Sequence, residues 1–148
     1  MWINMKPIRK IIPMLAHTPI LKGTGFLADN RGDYNGYLAI PSELFDKILL
    51  PKDEDIPYLM DYDRIPDIGV YPHGGWTFCE DADLSNLETF IPLLDIRKVD
   101  TSNYTIVGFD TCHLGDNSNI WNAKTVREHT FELYDALIKY IKTSKVYK

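Results

Sequence analysis

Residues 125–140 constrain this chain more than any other segment. They carry Val126, Leu133, Leu137 and Tyr140 on one stripe, widened by Thr130, Tyr134 and Ile141, which is the spacing of a single helical face. Thr125-Val-Arg-Glu128 has the form of a capping box and puts the helix start at that point. This is the one long helix the sequence announces. Pro7, Pro13 and Pro19 forbid another in the first nineteen residues, which read as short extended pieces including an edge strand. A strand-rich chain closed by one amphipathic helix predicts an α+β fold. The sheet should be mixed or mainly antiparallel, with the C-terminal helix packed on one face.

The intervening chain alternates turn signals with short apolar runs. Residues 22–26 and 29–33 look like turns, and Asn35-Gly-Tyr-Leu-Ala-Ile-Pro41 reads as a turn entering a strand. Residues 42–50 fit a short helix capped by Ser42, with Leu44, Phe45, Ile48 and Leu49 inward and Pro51 beyond its end. Residues 52–66 are acidic and broken by prolines, so a surface loop or lid is expected there. Residues 67–71 read as a short strand, 76–79 as extended chain, 80–86 as an acidic loop, and 87–94 as strand or helix broken at Pro92. Residues 103–109 are the clearest strand, β-branched and aromatic, and should lie at the centre of the sheet.

At 148 residues, 45% hydrophobic and 25% charged, the chain suits a single domain over 1–148 and can bury a core without staples. A net charge of −5 argues against duplex nucleic acid as a partner, because that affinity depends on neutralising phosphates. A small anionic ligand remains compatible, since backbone N–H groups and a few cations can hold it. No apolar run is long enough for a membrane span, and polar residues and prolines interrupt residues 1–15, so a cytoplasmic setting is expected. Cys79 and Cys112 form no CxxC pair, which disfavours a zinc–thiolate centre. Cys112 is expected to be a buried structural thiol and no partner for its neighbour His113, since adjacent residues on extended chain point apart.

Two segments carry the polar groups from which a site would be built. In His73-Gly-Gly-Trp-Thr, Gly74 and Gly75 permit positive φ and leave no Cβ in front of a ligand, so their N–H groups are candidates for holding an anion beside the imidazole. The same string also suits a plain Gly-Gly turn. In Asp110-Thr-Cys-His-Leu-Gly-Asp116, Asp110 or Asp116 can orient the His113 imidazole, or the three side chains can share one divalent metal. Both aspartates also suit turn formation, with Gly115 supplying the bend. Trp76, Thr77 and Trp121 adjoin these segments and are candidate ligand contacts, whereas Phe78 and Phe109 are expected in the core. Arg127 and Lys124 read as solvated, and His17 and His129 have no polar cluster around them in sequence. The spacing specifies neither a metal nor a cofactor.

The strings Gly36-Tyr-Leu-Ala-Ile-Pro41, His73-Gly-Gly-Trp-Thr-Phe78 and Gly108-Phe-Asp-Thr-Cys-His-Leu-Gly-Asp116, followed by an amphipathic helix, resemble a widespread group of small phage proteins. Those read Gly-Tyr-Val-x-Val-Pro, His-Gly-Gly-Leu-Thr and Gly-Phe-Asp-x-x-His-x-Gly-Asp in the same order, over about residues 36–140. Trp76 here stands where leucine is common. The group is mostly without an assigned function. The resemblance implies a phage accessory protein in the host bacterial cytoplasm, similar in setting to proteins that counter nucleotide-based immune signals.

The function expected from the motifs and this resemblance is a His/Asp pocket that binds a small nucleotide-like signal, such as a cyclic dinucleotide or an ADP-ribose derivative. Cleavage would make it a phosphodiesterase-type hydrolase, with His73 or His113 as acid or base and Asp110 or Asp116 orienting the imidazole. The alternatives are a protein that sequesters such a signal without turnover, and a protein-binding module whose histidines are structural. Self-association into a homo-oligomer stays open at this stage.

Overall fold

The computed structural model describes residues 8, 10–18, 31–56, 59–82, 88–99 and 103–144. Among the described residues, five strands form one sheet: β1 (Ile12–His17), β2 (Tyr34–Pro41), β3 (Phe78–Ala82), β4 (Ile91–Pro92) and β5 (Tyr104–Phe109). Their order is β3-β5-β2-β1-β4, and every neighbouring pair is antiparallel. Among the described residues, α1 (Ser42–Ile48) and α2 (Ala123–Thr143) accompany them. The protein is thus α+β, with the C-terminal helix lying on an antiparallel sheet.

Strand periodicity divides the core into two layers. Leu15, Leu38, Ile40, Val107 and Phe109 face α2 and meet its buried stripe of Val126, Leu133, Leu137 and Ile141. Ile12, Met14, Ala39, Tyr104 and Ile106 point the other way, where Phe78, Phe90, Ile96 and Val99 partly cover them. Gly36 decides how closely α2 approaches. A Cβ there would fall onto Thr130 Oγ1 and the Phe109 ring, so its absence lets the helix settle over the start of β2. Among the described residues, no helix is long and apolar enough to cross a membrane.

Several expectations need correction. Helix α2 begins two residues before the expected capping box. Asn122 is its N-cap, and Asn122 Oδ1 accepts from Thr125 N–H at 3.1 Å. Ser42 does not cap α1; its hydroxyl pairs with Thr105 Oγ1 at 3.0 Å, while Pro41 holds the N-cap position. Residues 67–71 form a turn, not a strand, because Asp67 Oδ1 takes the Gly69 N–H at 2.9 Å and Gly69 adopts φ +93. The acidic stretch after Cys79 continues as strand to Ala82. It is an edge strand, where charged side chains stay in water, and Asp81 accepts from Thr105 Oγ1 at 3.0 Å. Strand β1 is interior rather than an edge, and β2 occupies the middle of the sheet with β5 beside it. Phe109 is core, but Phe78 is only partly covered. Cys112 is exposed and not a buried thiol. The expected turn at residues 22–26 lies outside the described residues.

Candidate functional site

Strand β5 ends at Phe109, and the chain turns at once into the polar segment that leads to α2. Buried contacts set the direction of this turn. Thr111 is fully buried; its N–H donates to Asn35 Oδ1 at 2.9 Å and its hydroxyl to the Tyr34 carbonyl at 2.8 Å. The segment is thereby anchored to the first residues of β2. Asp110 Oδ1 accepts from Cys112 N–H at 3.0 Å, and Asp116 Oδ2 accepts from His113 N–H at 2.9 Å. The turn-forming role of both aspartates is therefore real, and the same carboxylates also meet the imidazoles, Asp110 through the Oδ1 that takes the Cys112 N–H and Asp116 through both oxygens.

The His73 turn arrives from the other side, just before β3. Gly75 N–H donates to the Pro72 carbonyl at 2.8 Å, with Gly74 at φ +70 and Gly75 at φ +88. A Cβ on residue 74 would fall onto His113 Nε2, so the glycine permits the two segments to meet. His73 Nε2 then lies 2.8 and 2.9 Å from the two oxygens of Asp116, a carboxylate only 5% exposed. The His73 and His113 rings stand edge to face with centroids 5.3 Å apart. His113 Nε2 comes within 3.1 Å of Asp110 Oδ1, but without the alignment of a hydrogen bond, and that nitrogen is buried.

The four proposed catalytic residues, His73, His113, Asp110 and Asp116, thus converge from two segments about forty positions apart in sequence. Their supposed ligand-binding neighbours divide. Trp121 stacks on His73 with centroids 4.2 Å apart and forms a wall of the site. Trp76 instead packs against the core beneath α2, beside Val107 and Leu137. Thr77 is exposed, and its N–H continues the pairing with the Gly108 carbonyl at 2.9 Å. The Gly75 N–H closes its own turn, so the expectation that it holds developing charge is not met in this conformation.

His129, on the second turn of α2, belongs to the site although nothing near it in sequence suggested so. Its Nε2 accepts the His73 N–H at 3.0 Å, and its ring lies against Phe109 and Trp121. Burial pushes its pKa below the ordinary imidazole range; Glu132 opposes the shift and His73 adds to it. A neutral His129 suits an acceptor at Nε2. Its helical phase was the available signal. Residue 129 follows buried Val126 by three and precedes buried Thr130, at the end of α2 that the loop from β5 must reach.

His73, His113 and Asp116 each offer one metal-ligand atom, and these three atoms lie within 4.8 Å of one another. Asp110 stands outside this set, beside His113. A cleft of about 420 Å³ is lined by none of the four His/Asp residues; its Gly32 lacks a side chain, which lets Thr111 and Trp121 close on the backbone. Arg31 and Tyr34 line it, and the Tyr34 ring stacks on His17 at 4.4 Å. Comparison with protein-family models, with curated proteins and with solved structures finds no match for this chain.

Proposed function

We propose that this pocket binds a small nucleotide-like signal, such as a cyclic dinucleotide or an ADP-ribose derivative, and hydrolyses a phosphoryl ester or anhydride bond within it. The observation that carries the reading is the meeting of two imidazoles with a buried carboxylate, His73 Nε2 being 2.8 Å from Asp116 and 5.3 Å separating the His73 and His113 rings. A structural histidine needs one partner. Two histidines and two carboxylates brought together at the rim of a sheet supply groups that activate water and stabilise charge on a phosphoryl oxygen. Trp121 beside His73 offers aromatic surface for a base, and the cleft lined by Tyr34 and Gly32, the latter packed against Trp121, is of small-ligand size. The net charge of −5 favours a small anion over a polynucleotide. The ordered motifs resembling small phage proteins support a counter-defence role in the cytoplasm of a host bacterium.

The test is incubation of the purified chain with purine cyclic dinucleotides and with ADP-ribose, followed by chromatography and mass spectrometry. New products from the wild-type protein, absent with His113→Ala of unchanged melting temperature, are expected. Intact ligand recovered after heat denaturation would replace hydrolysis by sequestration. Neither products nor bound ligand would end the nucleotide reading.

A further inference from the structure

The arrangement of the cluster suits a metal ion as well as it suits hydrogen bonds. His73 Nε2 is nearly equidistant from the two oxygens of Asp116, at 2.8 and 2.9 Å, although a single N–H can point squarely at only one. His113 Nε2 is buried without an aligned hydrogen bond, its near contact with Asp110 Oδ1 at 3.1 Å leaving the nitrogen lone pair unused. Residue 74 is a glycine, which keeps the space beside that nitrogen clear of any side chain. Two imidazoles bound through Nε2 to one tetrahedral ion at about 2.0–2.1 Å hold their ring centroids roughly 5.2 Å apart. The His73 and His113 centroids are 5.3 Å apart.

Resting on the reading of this pocket as a hydrolase site, we propose that His73, His113 and Asp116 bind one divalent first-row metal ion of the zinc type. Ligands of such an ion sit roughly 3.4 Å apart, so donors within 4.8 Å need to close by at most about 1.4 Å, a matter of side-chain rotation. The ion takes the place of the proton between His73 Nε2 and Asp116; that proton moves to Nδ1 of a neutral ring and leaves to water from a charged one. The supporting contacts are already in place: the His113 N–H holds Asp116 Oδ2, and His129 Nε2 holds the His73 backbone. Two imidazoles and one carboxylate favour zinc, iron, cobalt or nickel over magnesium and calcium, which prefer all-oxygen sets. Three protein ligands leave a fourth position for water, and Asp110 stays outside the ligand set beside His113, 3.1 Å from its Nε2.

The experiment is titration of the chelator-stripped full chain with Zn²⁺ by calorimetry and with Co²⁺ by visible absorption. One ion per chain is expected, with the absorption of a four- or five-coordinate cobalt site. His113→Ala and Asp116→Asn should each weaken binding by roughly 100-fold or more without altering the circular dichroism spectrum. If Asp116→Asn fails to fold, the partly exposed His113 variant decides alone. No uptake by the wild type, or equal uptake by His113→Ala, overturns the proposal. The two readings separate cleanly. Nucleotide hydrolysis that survives in a chain binding no metal removes the metal site and leaves the hydrolase. Stoichiometric binding without action on nucleotides does the reverse.

Discussion

Gly74→Ala tests how the two histidine segments are held together. Gly74 adopts φ +70, and a Cβ there would fall onto His113 Nε2. The backbone term alone is about 1–2 kcal/mol for an alanine held in the left-handed region. The steric term is different in kind. His113 Nε2 is the tip of a rotatable side chain only partly covered, so the ring swings aside at about 0.5–1.5 kcal/mol and the backbone stays put. Gly69 supplies the matched control, since it has φ +93 and nothing within 4 Å of a built Cβ. Gly69→Ala should therefore lose about 3–8 °C in melting temperature for a chain of this size, and Gly74→Ala about 2–6 °C more. Only Gly74→Ala should displace His113 from His73. Thermal denaturation gives the first quantity, and the imidazole resonances of His73 and His113 give the second. Wild-type resonances in Gly74→Ala, or a Gly74 variant as stable as the wild type, would refute the reasoning.

Leu137 is 2% exposed at the centre of the α2 stripe, so Leu137→Ala should cost roughly 2–5 kcal/mol in urea denaturation; an unchanged midpoint would show that the buried face is wrongly assigned. His129 titrates below the ordinary imidazole range, chiefly because it is buried, so the unfolded chain takes up the proton first, near pH 6.5. Its contribution is whole above that pH and is lost as pH falls through the folded value. Denaturation midpoints should thus drop more steeply below pH 6.5 in the wild type than in His129→Gln, and equal slopes would count against it. Cys112 is exposed, whereas Cys79 is half-buried with its thiol pushed up to about 11, first by burial and then by Asp61 and Asp81. Iodoacetamide at pH 8 should therefore modify Cys112 well before Cys79, as peptide mass spectrometry would report.

The parts of the fold legible in sequence are those where one physical signal acts alone. Strand β5 is uniformly buried, so a run of β-branched and aromatic residues described it well. Helix α2 shows its stripe because one face meets the sheet and the other meets water. Legibility failed where two signals competed. Glu80 and Asp81 look like a loop by charge, yet an edge strand paired only with β5 leaves such side chains solvated. Ile68 and Val70 look like a strand by composition, but Asp67 captures the Gly69 N–H and bends the chain before any ladder can form. The helix start went wrong because Thr125 imitates a cap while Asn122 does the capping.

The site divides along the same line. Its two loop segments were visible because histidines set among turn-forming glycines and aspartates have few structural uses, and both fall beside strands. The third histidine was not visible, because a helical histidine advertises no partner. His129 acquires its role from a contact 56 positions away in the chain, and the seating of α2 on the sheet, over Gly36 at this end, brings it there. The glycine that admits the helix, the strand that turns at Asp110 and the glycine that admits His113 act on one corner of the sheet. A substitution at Gly36 should therefore reach the histidines through the seating of α2, even though Gly36 touches none of them among its nearest neighbours.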